Sequence, residues 1–250
     1  MKTTLVAFAL VVALSLSAVA GTTQSPSAHR AGSNNPDKAA PPTVNPPALC
    51  NPCLFYGGDL NPSSSNAAGM SDENTLLIVG GGSTYGAVNI PSTANVYGIV
   101  FNVQADAAFD PLNATYDIRT GVSEGNGGTS LASGTGTIVV QPTGRNFLGL
   151  YEYSIAVSWQ QPVTLNPGEY WFNATPQCLN TLDGSCYVFR QFVSNTTSQA
   201  NGVHAGWQPA HEMFLNSSFF GFSWANWCDS SLGFNQYQCG FLSFGLRGKD

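Results

Sequence analysis

The sequence predicts an all-β domain, an antiparallel two-sheet jelly-roll-like β-sandwich. Three observations carry this. No segment holds a sustained helical period of apolar residues. Runs with strand-type alternation recur along the chain. Between them stand Gly, Pro and Asn clusters that read as turns: "GGGS", "DPLN", "GNGG", "QPTGRN" and "NPGE". Strand after strand without helices means a sandwich or a barrel. The hairpin spacing is too irregular for a closed up-and-down barrel.

Residues 1–20 read as a secretory signal peptide. Lys2 supplies the positive start, "LVAFALVVALSLSAVA" the apolar stretch, and Ala18-Val19-Ala20 the small-x-small cleavage pattern. A retained membrane anchor is the alternative, but the apolar run is short for a spanning helix. Residues 21–49 are rich in Pro, Ser and Ala and hold no aromatic residue. Such a stretch cannot bury enough apolar surface to offset its ordering entropy, so it reads as a disordered linker. Residues 50–250 form the predicted single β-sandwich domain, long enough for one core.

Nine strands are expected in order: Thr75–Val79, Asn95–Val103, Ala114–Thr120, Thr135–Gln141, Tyr151–Trp159, Glu169–Ala174, Cys186–Val193, Ser218–Phe222 and Phe241–Arg247. "NVYGIVFNV" is apolar on both faces and reads as a central strand. "YEYSIAVSW" alternates. Tyr151, Tyr153, Ile155, Val157 and Trp159 share one face. Glu152, Ser154, Ala156 and Ser158 share the other, which is expected to be wet.

Charge narrows the function classes. From Cys50 onward there are five basic residues against thirteen acidic ones, and no Lys before Lys249. A nucleic-acid or anionic-lipid surface needs clustered positive charge, so nucleic acid is excluded as a partner. No second apolar span follows the signal. Charged residues are 9% of the chain, against about 25% in an ordinary domain. Asn, Ser, Thr, Gln and Gly must make the surface polar, as in secreted domains.

Six cysteines in an exported chain favour three disulfides. Local pairing gives Cys50–Cys53, Cys178–Cys186 and Cys228–Cys239, and the other connectivities stay open. A redox dithiol at Cys50-Asn51-Pro52-Cys53 lacks its βαβ setting. A zinc site lacks a second C-x-x-C.

Three blocks resemble a group of uncharacterised secreted bacterial β-sandwich proteins: "FYGGDLNPSSSNAAGMSDENT", "IRTGVSEGNGGTSLASGTG" and "LNPGEYWFNATP". Those proteins carry GGD-x-x-P, I-R-x-G-x-S-x-G-N-G-G and L-x-P-G-x-Y-W in the same order. The resemblance covers roughly residues 50–246. It implies secretion and a β-sandwich and brings no catalytic residues. Some members end in a C-terminal sorting signal. This chain ends in "GLRGKD", which departs from that pattern.

Gly121-Val122-Ser123-Glu124-Gly125 matches the nucleophile elbow G-x-S-x-G, but "GNGGTS" cannot start the helix that motif needs. His204, His211 and Glu212 could form an acid–base or metal cluster, without the helical spacing of a zinc protease. A glycoside hydrolase needs two inward carboxylates, whereas Glu152 falls on the polar face and Asp117 with Arg119 reads as a surface ion pair. Asp59, Asn61, Asp72 and Glu73 are oxygen donors in a Gly/Ser/Asn stretch. They are the candidate ligands of a structural calcium. The plainer reading is a solvated loop. Aromatic residues crowd positions 201–240 among Asn, Gln and Ser. Trp207, Trp224, Trp227 and Tyr237 are the candidate glycan-stacking residues, against the plainer reading of sandwich core. Four N-x-[ST] sequons, at Asn113, Asn173, Asn195 and Asn216, decide little in so polar a chain.

The expectation is a secreted, non-enzymatic binding module of the extracellular space or cell surface, with a polysaccharide or cell-surface glycan as ligand. A structural or matrix protein without small ligand and a secreted glycoside hydrolase are the alternatives.

Overall fold

The chain enters its first strand, β1 (Cys53–Tyr56), at the second cysteine. The structure is a computed structural model describing residues 46–59, 68–71, 74–75, 82–105, 109, 111–147, 149–178, 192–196, 207–209, 213–217, 222–226 and 241–250. After β1 come two short strands, β2 (Ala68–Ser71) and β3 (Asn74–Thr75). The long strands follow: β4 (Gly82–Ile90), β5 (Ala94–Ala105), β6 (Asn113–Thr120), β7 (Thr129–Phe147), β8 (Leu150–Leu165) and β9 (Gly168–Cys178). The rest are short: β10 (Phe192–Thr196), β11 (Gln208–Pro209), β12 (Phe214–Ser217), β13 (Phe222–Asn226), β14 (Phe241–Leu242) and β15 (Phe244–Lys249). Among the described residues there is no helix, so none is long and apolar enough to cross a membrane.

The strands join in one hydrogen-bonded path, β1-β15-β5-β8-β7-β6-β9-β4-β12-β13, antiparallel at every step. β3 beside β9 is the parallel exception. β5 lies between β15 and β8 and is buried on both faces from Ile99 to Ala105, as its apolar run requires.

The sheet curls at β7. Residues Thr129–Gly136 pair with β6, whereas Thr137–Pro142 pair with β8. Gly136 stands at this change of partner. A Cβ there would come within 2.8 Å of Ser158 O, so only glycine lets the backbones approach. The curl brings distant parts of the path face to face. Phe172 of β9 and Phe244 of β15 have ring centroids 6.2 Å apart. They share one core with Ile99, Phe101, Ile155 and Trp207. Full burial of each such side chain contributes roughly 1.5–3 kcal/mol.

β4 was not expected. Its sequence is "GSTYGAVNI", and only the "GGGS" that overlaps its start reads as turn punctuation. Yet a Cβ on Gly86 would lie 2.7 Å from Phe244, so this glycine makes room for the core. Of the expected strands, Ser218–Phe222 is described only at Phe222, where β13 begins, and residues 218–221 lie outside the described residues. Cys186–Val193 is described only from Phe192, and Thr75–Val79 only at Thr75.

The alternation of β8 is present, but its face assignment needs correction. Ile155 and Val157 are buried as expected. Glu152, Ser154 and Ala156, expected to be wet, are also buried. What covers them is the segment before and within β1. Cys50, Cys53 and Tyr56 pack on Val100 and Ala156, with Leu49 against them. The Cys50–Cys53 disulfide closes that segment. The pairings Cys178–Cys186 and Cys228–Cys239 lie outside the described residues.

Candidate functional site

The covered face of β8 holds a buried polar network, and it begins in the "GGD" that ends β1. Gly57 N–H donates to Phe244 O at 2.8 Å, and Ser243 Oγ donates to Gly58 O. Gly58 has φ 103, a left-handed conformation that disfavours any side chain. This turn carries Asp59 back over β8, where it is 3% exposed.

Arg145 meets it from β7. The pairing of β7 with β8 slips between Pro142 and Asn146. Gly144, at φ 81, turns within the slip. An irregularity of this kind re-aims a side chain, and here it buries Arg145. Its Nη1 donates to Asp59 Oδ2 at 2.9 Å, and its Nε donates to Glu152 Oε2. Thr143 Oγ1 donates to the same Glu152 oxygen at 2.8 Å. Glu152 is thus no surface acid: burial forces it onto a cation.

Tyr56 extends the network. Its hydroxyl donates to Asp59 Oδ1 and accepts from Asn102 Nδ2 at 3.0 Å. Burial, reinforced by the Asp59 carboxylate beside it, pushes the Tyr56 phenol well above its usual range. It therefore stays protonated and keeps donating. Asn102 also donates to Ser243 Oγ at 2.7 Å and accepts from Ser154 Oγ at 2.5 Å. The chain of bonds runs unbroken from Gly58 to Glu152.

A cavity of about 320 Å³ opens on this network. Pro46, Pro47 and Pro142 give it apolar surface. Asp59, Gln141, Thr143, Arg145 and Ser154 give it hydrogen-bonding atoms.

A second cluster sits where β4, β6 and β13 meet. Asp117 accepts from Arg119 Nε, from Tyr85 Oη at 2.9 Å and from Ser130 Oγ at 2.6 Å. The pair is only partly exposed, 23% for Arg119 and 15% for Asp117, so the expected surface ion pair is half sunk. Arg119 lies 4.8 Å from the Trp224 ring centroid. Burial, with Asp117 next, pushes the Tyr85 phenol upward.

The glycan-stacking candidates separate. Trp207 is 1% exposed and belongs to the main core, where it has no face to offer. Trp224 is 9% exposed, packed with Tyr85, Trp171 and Phe214. Trp227 and Tyr237 lie outside the described residues. Of the calcium candidates, Asp59 has one oxygen bonded to Tyr56 and the other to Arg145, so an ion would compete with both. Asn61, Asp72 and Glu73 lie outside the described residues, as do His204, His211 and Glu212. Among the described residues no cluster of His, Cys, Asp and Glu could hold a metal. Ser123 of G-x-S-x-G is exposed in a tight turn with Asn126, and β7 rather than a helix follows.

Arg145, Thr143 and Tyr56 were missed. "QPTGRN" reads as a turn. The usable signal was Arg145 itself, one of only five basic residues after Cys50. Comparison of the chain with protein-family models, with curated proteins and with solved structures finds no match.

Proposed function

We propose that this protein is a secreted, non-enzymatic binding module of the extracellular space or cell surface, and that it takes a saccharide in the Arg145 cavity. The observation that carries the reading is the lining of that cavity. Fixed hydrogen-bonding groups stand beside proline surface. Hydroxyls need the first and the C–H face of a sugar needs the second. The network behind the cavity holds these groups rigid, so little ordering entropy is lost on binding. The signal-like start of the sequence supports export. The curl that sets β9 against β15 supports a two-layered jelly-roll sandwich.

The same geometry weighs against a glycoside hydrolase. A glycosidase needs one carboxyl protonated and the other free to act as base or nucleophile. Asp59 and Glu152 are both bonded to one guanidinium, and this pairing leaves neither placed as a free base or nucleophile.

The test is a glycan array on the secreted chain, repeated with Gln141→Trp. Gln141 is an exposed residue of the cavity lining, so a bulky ring there fills the cavity without replacing any residue of the buried network. Saccharide binding lost in the variant supports the site. An empty array, or binding that Gln141→Trp leaves unchanged, defeats it.

A further inference from the structure

Trp224 is the described non-glycine residue with a left-handed backbone, at φ 52. A bulky side chain rarely adopts that conformation, and where it does the surroundings hold it there. The surroundings here are the loop of residues 121–128, "GVSEGNGG", between β6 and β7. Gly127 lies directly on the indole. A Cβ on it would come within 2.6 Å of Trp224 Nε1, so no residue with a side chain fits.

The loop tip is held lightly. Ser123, Glu124, Gly125 and Asn126 are all exposed. Among the described residues, three hydrogen bonds tie the tip to its platform. Gly125 N–H donates to Trp224 O at 3.0 Å, Asn226 N–H to Glu124 Oε2 at 2.8 Å, and Arg119 Nη1 to Gly127 O at 2.8 Å. Val122, which is buried, anchors the start of the loop. Gly121, Gly125 and Gly128 have φ of +70, +71 and +61, so the loop bends at residues that tolerate other conformations.

Beneath the tip lie the parts of a saccharide site. The Trp224 and Tyr85 rings have centroids 4.8 Å apart. Arg119 and Asp117 stand at their edge with donors and acceptors for hydroxyls. Gly127 presents to this set what a sugar would present: flat C–H surface to the indole and an oxygen to the guanidinium.

We propose that Trp224, Tyr85, Arg119 and Asp117 form a second binding site, for a neutral saccharide, and that the 121–128 loop covers it until ligand displaces Gly127. Asp117 and Glu124 beside the site, and a chain of net charge −6, disfavour an acidic sugar. The inference rests on reading the protein as a saccharide binder, but its site is separate from the Arg145 cavity.

The experiment uses the whole secreted chain with Glu124→Ala, which removes one tether, and Gly127→Ala, which places a methyl against the indole. Hydrogen exchange at residues 121–128 and acrylamide quenching of tryptophan fluorescence read the cover without any ligand. A Trp224→Phe variant identifies the Trp224 share of the quenching. Loss of one such hydrogen bond should speed exchange of the tip by about tenfold and raise affinity for neutral oligosaccharides by a similar factor, because closure lowers the competent fraction. Glu124 is exposed, so its variant keeps the fold even if Gly127→Ala does not. Unchanged exchange and quenching in Glu124→Ala would show that the loop is no cover. A freed loop with no gain in saccharide affinity would overturn the site, and leaves the Arg145 cavity to its own Gln141→Trp test.

Discussion

Replacing Arg145 by Met should be among the most damaging single changes in this protein. Its side chain is 9% exposed, that of Asp59 4% and that of Glu152 0%. Water therefore screens none of the three. At 2.9 Å and an effective dielectric of about 20, the Arg145–Asp59 attraction is about 6 kcal/mol before the desolvation of both ions is subtracted. Removing one partner of a buried pair typically costs about 3–5 kcal/mol, because the other charge stays buried. Here two carboxylates stay behind. Urea unfolding at pH 7 should show a loss of at least about 3 kcal/mol. The triple variant Asp59→Asn, Arg145→Met, Glu152→Gln carries no charge there and should recover about half the loss or more. A single variant within about 1 kcal/mol of the parent, or a triple variant as unstable as the single, would refute the reasoning.

Alkaline stability tests the two buried phenols. Tyr56 and Tyr85 titrate above the ordinary 10.0 when folded. Unfolded chains therefore lose these protons first, and stability that is full below pH 10 falls as pH rises beyond it. Tyr56→Phe should flatten that fall in thermal melts, and an unaltered slope would remove Tyr56 from the account. Gly86→Ala tests the curl: its methyl meets Phe244 and Leu242 across the core, so overpacking should cost about 1–3 kcal/mol. A neutral effect on chemical denaturation would mean that β4 does not face β14 and β15. Cleaving the Cys50–Cys53 disulfide, three residues apart, should cost only about 2 kcal/mol on loop entropy. Non-reducing peptide mapping should recover that pair, and iodoacetamide labelling of either cysteine in the native chain would contradict it.

Period and punctuation were enough to read the chain as all-β and to find the central strands, because strand alternation and turn residues act within a few positions of each other. Asn95–Val103, within the observed Ala94–Ala105, is legible as a central strand from its own apolar run. Tyr151–Trp159, within the observed Leu150–Leu165, is legible as alternating. Alternation, however, says which residues share a face and nothing about what covers that face. Glu152 and Ser154 read as wet because they are the polar members of an alternating strand whose other face carries Tyr153, Ile155, Val157 and Trp159. They are dry because Cys50, Cys53, Tyr56 and Asp59, roughly a hundred residues earlier, lie across them. That burial turns Arg145 from a turn residue into the counter-ion of two acids. It also accounts for Asp59, whose carboxylate bonds to Arg145 and Tyr56. Trp224 shows the same division. Its composition marks it as an aromatic among polar neighbours. Only the meeting of β6 and β13 sets Arg119 and Gly127 on its ring. Contacts between residues a hundred positions apart depend on the path of the sheet between them, and no local pattern carries that path.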